Sequence, residues 1–157
     1  MRLTRAGEYG IRCVLHLARH GRGTLVSRKE IAARTDVPAH FLAKIAQQLA
    51  RAGIIEIMQG ANGGYRLLAD PSEISLLSVI EAVIGEISLN DCVTRPGSCH
   101  NSATCAIHRV WGKANRELRD TLRGTNFAAM AAEESCCLTS FPETGAGRRD
   151  DSDEARP

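Results

Sequence analysis

The sequence predicts a mainly α-helical fold with one small β-hairpin. Apolar residues recur every three or four positions in several stretches, as in amphipathic helices. The motif Ser27-x-x-Glu30 is a capping box, which marks the start of a helix. Two short apolar runs, the first rich in β-branched residues, flank a glycine-rich turn at residues 59–64, as in a hairpin. The 157 residues are enough to bury one compact core with appendages.

The first helix is predicted between Thr4 and His20. Thr4 is a suitable N-cap, and Gly21 follows the last turn, where helices commonly end with glycine. Cys13 lies inside the apolar pattern, so we expect it to be a small core residue. His16 and His20 are expected at the surface or at the helix end.

The next two helices are predicted to form a helix-turn-helix. The first opens at Ser27 and is broken by Thr35-Asp36-Val37. Pro38 has a fixed φ that suits a first helical turn, and the helix it opens continues to about Ala52, before Gly53. The second helix of such a motif normally lies in the major groove of DNA. The residues of this helix that are spaced to face a core are Phe41, Leu42, Ile45 and Leu49.

The hairpin is predicted from strands at residues 54–58 and 65–68. A helix-turn-helix followed by such a hairpin is a winged helix, whose small tip residues can approach phosphates or the minor groove closely. Basic side chains can neutralise phosphates, while histidine and glutamine can bond to base edges. On the second helix, the positions outside the apolar stripe are Ala39, His40, Ala43, Lys44, Gln47 and Gln48. The candidate DNA-contacting residues are Arg2, Arg28, Lys29, Ala39, His40, Ala43, Lys44, Gln47, Gln59, Asn62 and Gly63.

Charge divides unevenly along the chain. Residues 1–69 contain eleven Lys/Arg against four Asp/Glu, a net charge of +7. Residues 70–157 contain nine against fourteen, a net −5, and together these give +2. A basic half joined to an acidic half is typical of a polyanion-binding domain attached to another unit. A winged helix used for protein contact remains an alternative.

The second half is predicted to contain a buried helix, a loop and a long amphipathic helix. The buried helix covers residues 76–84, and the segment 85–104 is polar and irregular. Loops of this length inside a domain are usually functional or held by a ligand. The amphipathic helix begins at Cys105 and ends at Gly124, and we expect it to form a two-fold dimer; packing only against its own domain is the alternative. Its apolar stripe is Ile107, Trp111, Ala114, Leu118 and Leu122.

These patterns predict three regions. Residues 1–69 form the winged helix-turn-helix DNA-binding domain, and residues 70–135 form the ligand loop and dimerisation helix, ending in a short helix at 127–134. Residues 136–157 are expected to be a disordered tail, because proline, glycine and charge dominate there.

The loop and the start of the long helix concentrate metal-binding side chains. Three cysteines and a histidine fall within seventeen residues, as Cys92-x6-Cys99-x5-Cys105-x2-His108. Thiolate and imidazole suit iron–sulfur clusters and zinc. Structural zinc sites usually contain two cysteines separated by two to four residues, whereas these wider gaps suit a cluster inside a longer loop. Zinc stays open as the alternative.

Several motifs together resemble one known family. They are Met1-Arg2-Leu3-Thr4, Phe41-Leu42-Ala43-Lys44-Ile45, Gln59-Gly60-x-x-Gly63-Gly64-Tyr65-x-Leu67, and the set Cys92, Cys99, Cys105 and His108. Over about residues 1–135 the chain resembles the IscR/NsrR family of winged-helix iron–sulfur transcriptional regulators, and its IscR members most.

This resemblance implies a homodimer whose four ligands bind a 2Fe–2S cluster and whose affinity for promoter DNA follows cluster status. The signal would be iron–sulfur status, redox or nitric-oxide stress. The chain departs from the family at Gln59, where many relatives have a wing arginine. Glu8 stands where some relatives use an acidic ligand from the other subunit, so Glu8 is the alternative fourth ligand, and its use would favour a 4Fe–4S cluster.

Other function classes are less well supported. The chain has no P-loop, dinucleotide-binding, nucleophile-elbow or zinc-protease motif, so we do not expect an enzyme. It has neither an apolar run long enough for a membrane span nor a secretory start, which favours the cytoplasm. The remaining alternatives are a zinc-stabilised or thiol-based regulator, and a partner-binding or electron-carrying module without DNA binding. Cys136 and Cys137 are expected to be incidental thiols.

Overall fold

The structure, a computed structural model, describes residues 4–101 and 104–138. These residues form a mainly helical fold with a small antiparallel sheet, which confirms the predicted fold class. In chain order the elements are α1 (Arg5–His20), β1 (Val26–Ser27), α2 (Arg28–Thr35), α3 (Ala39–Arg51), β2 (Ile55–Met58), β3 (Gly64–Leu67), α4 (Leu76–Ile84), α5 (Asp91–Thr94), a 3-10 turn (Pro96–Ser98), α6 (Ala106–Gly124) and α7 (Phe127–Leu138). Residues 136–138 of the expected tail belong to α7, and residues 139–157 lie outside the described residues.

Helix α1 begins and ends where the sequence predicts. The Thr4 hydroxyl accepts a hydrogen bond from the backbone N–H of Gly7 at 3.3 Å. Cys13 is completely buried, and this burial raises the pKa of its thiol to about 12. His16, in contrast, is only 8% exposed, so its expected surface position is wrong. It lies one turn before His20, on the side of the helix that α2 covers.

The helix-turn-helix is also confirmed. The Ser27 hydroxyl caps α2 by accepting a hydrogen bond from the backbone N–H of Glu30 at 3.2 Å. Three residues then separate α2 from α3, and the first of them, Asp36, has a left-handed backbone (φ 54°). Phe41 does not face the core as expected, because its side chain is 43% exposed. Its ring instead lies beside those of Tyr9 and His40, with centroids 5.8 and 4.4 Å away.

The wing is a three-stranded sheet in the order β1-β3-β2. Strands β2 and β3 form the predicted hairpin, in register from Ile55↔Leu67 to Met58↔Gly64. Strand β1 was not predicted, because two residues give no alternation to recognise. It pairs with β3 so closely that a Cβ on Gly64 would lie 2.1 Å from the carbonyl oxygen of Val26.

One hydrophobic core extends from α1 into the second half of the chain. Val79 and Val83 of α4 and Phe127 of α7 are buried in the same cluster as the apolar face of α1. Because these helices pack on α1 beside the helix-turn-helix, they are not a separate layer. The functional boundary at residue 69 stays a prediction.

The segment expected to be an irregular loop contains one short helix and a 3-10 turn. Helix α5 is closed by the backbone bond from Arg95 N–H to the carbonyl of Asp91 at 2.8 Å, and their side chains form an ion pair. A single helical turn has no repeating apolar pattern, so the sequence could not predict it.

We predict that Gly64→Ala will destabilise the protein by about 1–3 kcal/mol, because the added methyl forces β1 and β3 apart. Urea unfolding of the full chain measures this change. Gly124→Ala is the matched control, since a Cβ there meets nothing within 4 Å. Equal stabilities of the two variants would contradict the close β1–β3 contact.

Candidate functional site

A groove of about 1030 Å³ runs between α3 and the wing. One wall comes from the start of α2 and the solvent side of α3, and the other comes from β2, the turn and β3. The lining residues are Ser27, Arg28, Lys29, Ala32, Ala39, Leu42, Ala43, Gln47, Ile57, Met58, Gln59, Gly60, Ala61, Gly63 and Tyr65.

Most of the sequence-predicted DNA-contacting residues meet in this groove. His40, Lys44 and Asn62 are exposed near it but are not among its lining residues. Arg2 lies outside the described residues. The predicted residues that line the groove are Arg28, Lys29, Ala39, Ala43, Gln47, Gln59 and Gly63.

Gln48 has a structural role instead of a place in the groove. Its side-chain amide donates a hydrogen bond to the carbonyl oxygen of Val83 at 2.8 Å, which ties α3 to the end of α4. Gln48, which the sequence places outside the apolar stripe of this helix, is therefore directed to α4 and not to the groove. The sequence could not reveal this bond because the two residues are 35 positions apart.

The groove also contains residues that the sequence did not indicate. Tyr65 lies at its base, where burial raises the pKa of the phenol and the nearby Arg28 guanidinium opposes that rise. Met58 is exposed on the wing wall although it ends a strand. The feature of the sequence that could have indicated Met58 is its place as an apolar residue directly before the glycine-rich turn.

The predicted metal ligands lie along α5, the 3-10 turn and the start of α6. Cys92 is half-buried in α5, and Cys99 is exposed directly after the 3-10 turn. Cys105 occupies the N-cap position of α6, and His108 lies in its first turn. The Nδ1 atom of His108 is buried and has no hydrogen-bond partner among the described residues. A buried, unpaired imidazole nitrogen is unfavourable unless it binds something.

These four side chains do not surround a point as the ligands of a single ion would. Within the described ranges, the ligand atoms of one group of three metal-binding side chains all lie within 4.8 Å of one another. That group is elsewhere in the molecule and contains none of these four residues. Three thiols with an orphaned imidazole nitrogen fit an iron–sulfur cluster or zinc in donor chemistry.

Helix α6 and α4 hold this loop on the body of the protein. The side chain of the buried Asn115 accepts a hydrogen bond from the backbone N–H of Leu89 at 3.1 Å. Leu89 is three residues before Cys92. Arg119 forms a two-point ion pair with Glu81 of α4, and it also donates to the carbonyl oxygen of Ile87 at 3.3 Å. Polar contacts thus fix both the loop and its supporting helix.

The apolar stripe of α6 divides into two parts. Leu118 and Leu122 pack on Leu77 and Ile80 of α4, so this part covers the chain's own core. The first turns are different, because Ile107 and Val110 are 64% and 65% exposed and Trp111 is exposed beside them. This first part is an apolar surface with no covering element in the described chain.

Of the described helices, none combines the length and apolar composition that crossing a bilayer requires.

Comparison with known proteins identifies the family. A family model described as Rrf2, iron-dependent transcriptional regulator, matches residues 3–133. The chain belongs to the Rrf2 family. It is therefore a DNA-binding transcriptional regulator, as its sequence predicts.

Individual Rrf2 relatives match over most of the chain. The protein rrf2 of Nitratidesulfovibrio vulgaris is 31% identical over 87% of this chain and 91% of its own length. The regulator IscR of Vibrio vulnificus is 28% identical over 85% of this chain and 79% of its own. Among solved structures, CymR, the global cysteine regulator of B. subtilis, aligns with a TM-score of 0.72 at 23% identity, covering 85% of this chain and 98% of CymR. That likeness supports the fold.

We predict that Arg119→Ala will lower the free energy of unfolding by about 2 kcal/mol, because Glu81 and the Ile87 carbonyl lose a charged donor. Chemical denaturation measures the change. Arg123→Ala is the matched control: its ion pair with Asp120 is exposed, so the cost should stay below about 0.5 kcal/mol. Similar losses for both variants would contradict the anchoring role of Arg119.

Proposed function

We propose that this chain is a homodimeric transcriptional regulator whose affinity for promoter DNA depends on an iron–sulfur cluster bound by Cys92, Cys99, Cys105 and His108. The observation that supports it most is the orphaned Nδ1 of His108, buried in the first turn of α6 beside the cysteine loop. The group favoured here is a 2Fe–2S cluster. When bound, such a cluster supplies a redox-active centre that responds to oxidants and to iron supply.

The groove supports the DNA-binding part of the proposal. Arg28 and Lys29 at the start of α2 give it positive charge, while Gln47 and Gln59 offer hydrogen bonds from opposite walls. The small residues Ala39 and Ala43 leave room for a base edge or a methyl group. Lys44, which is exposed on α3, is assigned to a phosphate contact. His40 and Asn62 are assigned to the edges of the interface.

The exposed first part of α6 supports a two-fold dimer. Ile107, Val110 and Trp111 form an apolar surface beside the ligand loop, and a second copy would remove it from water. A dimer also suits a pseudo-palindromic site with two half-sites. In the same assembly Glu8, exposed in the first turn of α1, is the alternative fourth ligand in place of His108.

A continuous set of contacts could link the cluster to the recognition helix. The loop is hydrogen-bonded to Asn115 of α6. Helix α6 is joined to α4 by the ion pair between Arg119 and Glu81, and α4 in turn accepts a hydrogen bond from Gln48 of α3. A cluster that fixes the loop would bias the position of α3 through these elements. Regulation requires a difference in DNA-binding free energy of about 1–3 kcal/mol between the two forms.

We predict that Cys99→Ala will remove the visible absorption that wild-type protein gains on oxygen-free reconstitution with ferrous salt and sulfide, while circular dichroism stays unchanged. Cys13→Ala is the control, since the buried Cys13 is remote from solvent and should leave the spectrum intact. The substitutions Glu8→Gln and His108→Ala distinguish the two candidate fourth ligands, because the visible absorption should change only when the true ligand is replaced. A wild-type protein that stays colourless and binds zinc in a way that Cys99→Ala abolishes would replace the cluster with the zinc-stabilised alternative.

We predict that Lys44→Ala will weaken DNA binding about equally on different sequences and reduce the slope of log affinity against log salt by about 1, because one phosphate contact is lost. Mobility-shift titrations at several salt concentrations measure both effects. The control is Lys113→Ala, an exposed lysine of α6 outside the groove. An unchanged slope for Lys44→Ala would contradict its place at the interface, and no shift for the wild type would remove the DNA-binding role.

A further inference from the structure

Helices α1 and α2 bring together two histidines and a glutamate away from the cysteine loop. His16 and His20 lie one turn apart on α1, and Glu30 extends from the first turn of α2. Their ligand atoms all lie within 4.8 Å of one another. The Oε1 atom of Glu30 is 3.6 Å from His16 Nε2 and 3.5 Å from His20 Nε2.

These distances suit a shared ion better than hydrogen bonds. A nitrogen-to-oxygen hydrogen bond is usually about 2.7–3.2 Å long, so both contacts exceed that range. Ligands that bind zinc tetrahedrally at about 2.0–2.1 Å are separated from one another by about 3.3–3.4 Å. The contacts of Glu30 with His16 and His20, at 3.6 and 3.5 Å, are already close to this separation. Binding an ion would therefore need no rearrangement of the backbone.

His16 provides a second, independent observation. The residue is 8% exposed, and its Nε2 atom is buried with no hydrogen-bond partner among the described residues. Burial lowers the pKa of His16, with His20 acting in the same direction and Glu30 opposing. The neutral imidazole is the form that binds metals.

We propose that His16, His20 and Glu30 form a binding site for a zinc-like divalent transition-metal ion, with water completing its coordination. Two imidazoles and one carboxylate are a zinc-type ligand set, whereas calcium and magnesium prefer oxygen ligands alone. This site is separate from the four-residue set of the loop, and the proposal does not depend on an iron–sulfur cluster.

An ion bound there would connect the central helix to the DNA-binding motif. Glu30 follows Arg28 and Lys29 directly in the sequence, and both of those residues line the groove. Fixing the Glu30 carboxylate to α1 would hold the first turn of α2, and with it one wall of the groove. We therefore expect the ion to stabilise the helix-turn-helix.

The test measures Zn²⁺ binding to the full chain with Cys92, Cys99, Cys105, Cys136 and Cys137 replaced by serine, so that these thiolates cannot compete. Zinc chloride is titrated against a chromophoric chelator. In this background, His20→Gln and Glu30→Gln should each weaken binding at least tenfold, and both side chains are exposed enough (37% and 44%) to be replaced without a cavity. Glu117→Gln is the control, an exposed glutamate of α6 that should leave the affinity unchanged.

A second measurement covers the case in which the serine variant does not fold. In the wild-type chain, nitrogen chemical shifts of the histidine rings report which ring atoms bind zinc, and we expect those of His16 and His20 to change once the added zinc exceeds the amount that the cysteine thiolates bind. Zinc binding unaffected by both substitutions, or no change at these two rings, would overturn the proposal. Either result leaves the iron–sulfur proposal standing, because that proposal is tested by the chromophore.

Discussion

Burial of one face of α1 is the packing interaction on which the rest of the molecule depends. Val14 and Leu17 of this face are almost completely inaccessible to solvent, and α2, α3, α4, α7 and β3 all pack around the helix. The approach of α4 is especially close, because a Cβ on Gly10 would lie 2.8 Å from the side chain of Val83. A side chain at residue 10 would force the side chain of Val83, or α4 itself, to shift. Packing on α1 therefore fixes α3 and α4, and through them the positions of the groove and of the cysteine-containing loop.

Helix α4 connects α3, which lines the groove, to α6, which supports the cysteine-containing loop. On one side its end accepts the hydrogen bond of Gln48 from α3, and on the other its Glu81 pairs with Arg119 of α6. A densely packed helix transmits a displacement instead of absorbing it, since protein interiors have low compressibility. The proposed coupling between cluster and DNA requires such an element. Its physical basis is the pair of polar contacts in the last turn of α4, at Glu81 and Val83, together with the apolar packing of the helix.

Two buried side-chain atoms are left without partners in the described chain, His108 Nδ1 and His16 Nε2. Each belongs to a set of metal-binding side chains, one on the loop and one between α1 and α2. An unpaired buried nitrogen costs free energy, so its presence in each set favours a role in binding. The first set was predictable because its four members fall within seventeen residues. The second was not, because Glu30 reaches the two histidines only after the chain has folded back.

By itself, the sequence determined the elements whose signals are local. The caps Thr4 and Ser27, the apolar repeats and the glycine-rich turn fixed the helix-turn-helix and the wing, because such signals act over three or four residues. The tertiary structure alone decided which side chains of these helices face solvent. Gln48 turned inward to α4, His16 was buried beneath α2, and Phe41 stayed exposed, since each outcome depends on a neighbour that is remote in the chain. The same reason explains β1, whose two residues form a strand only because β3 lies beside them.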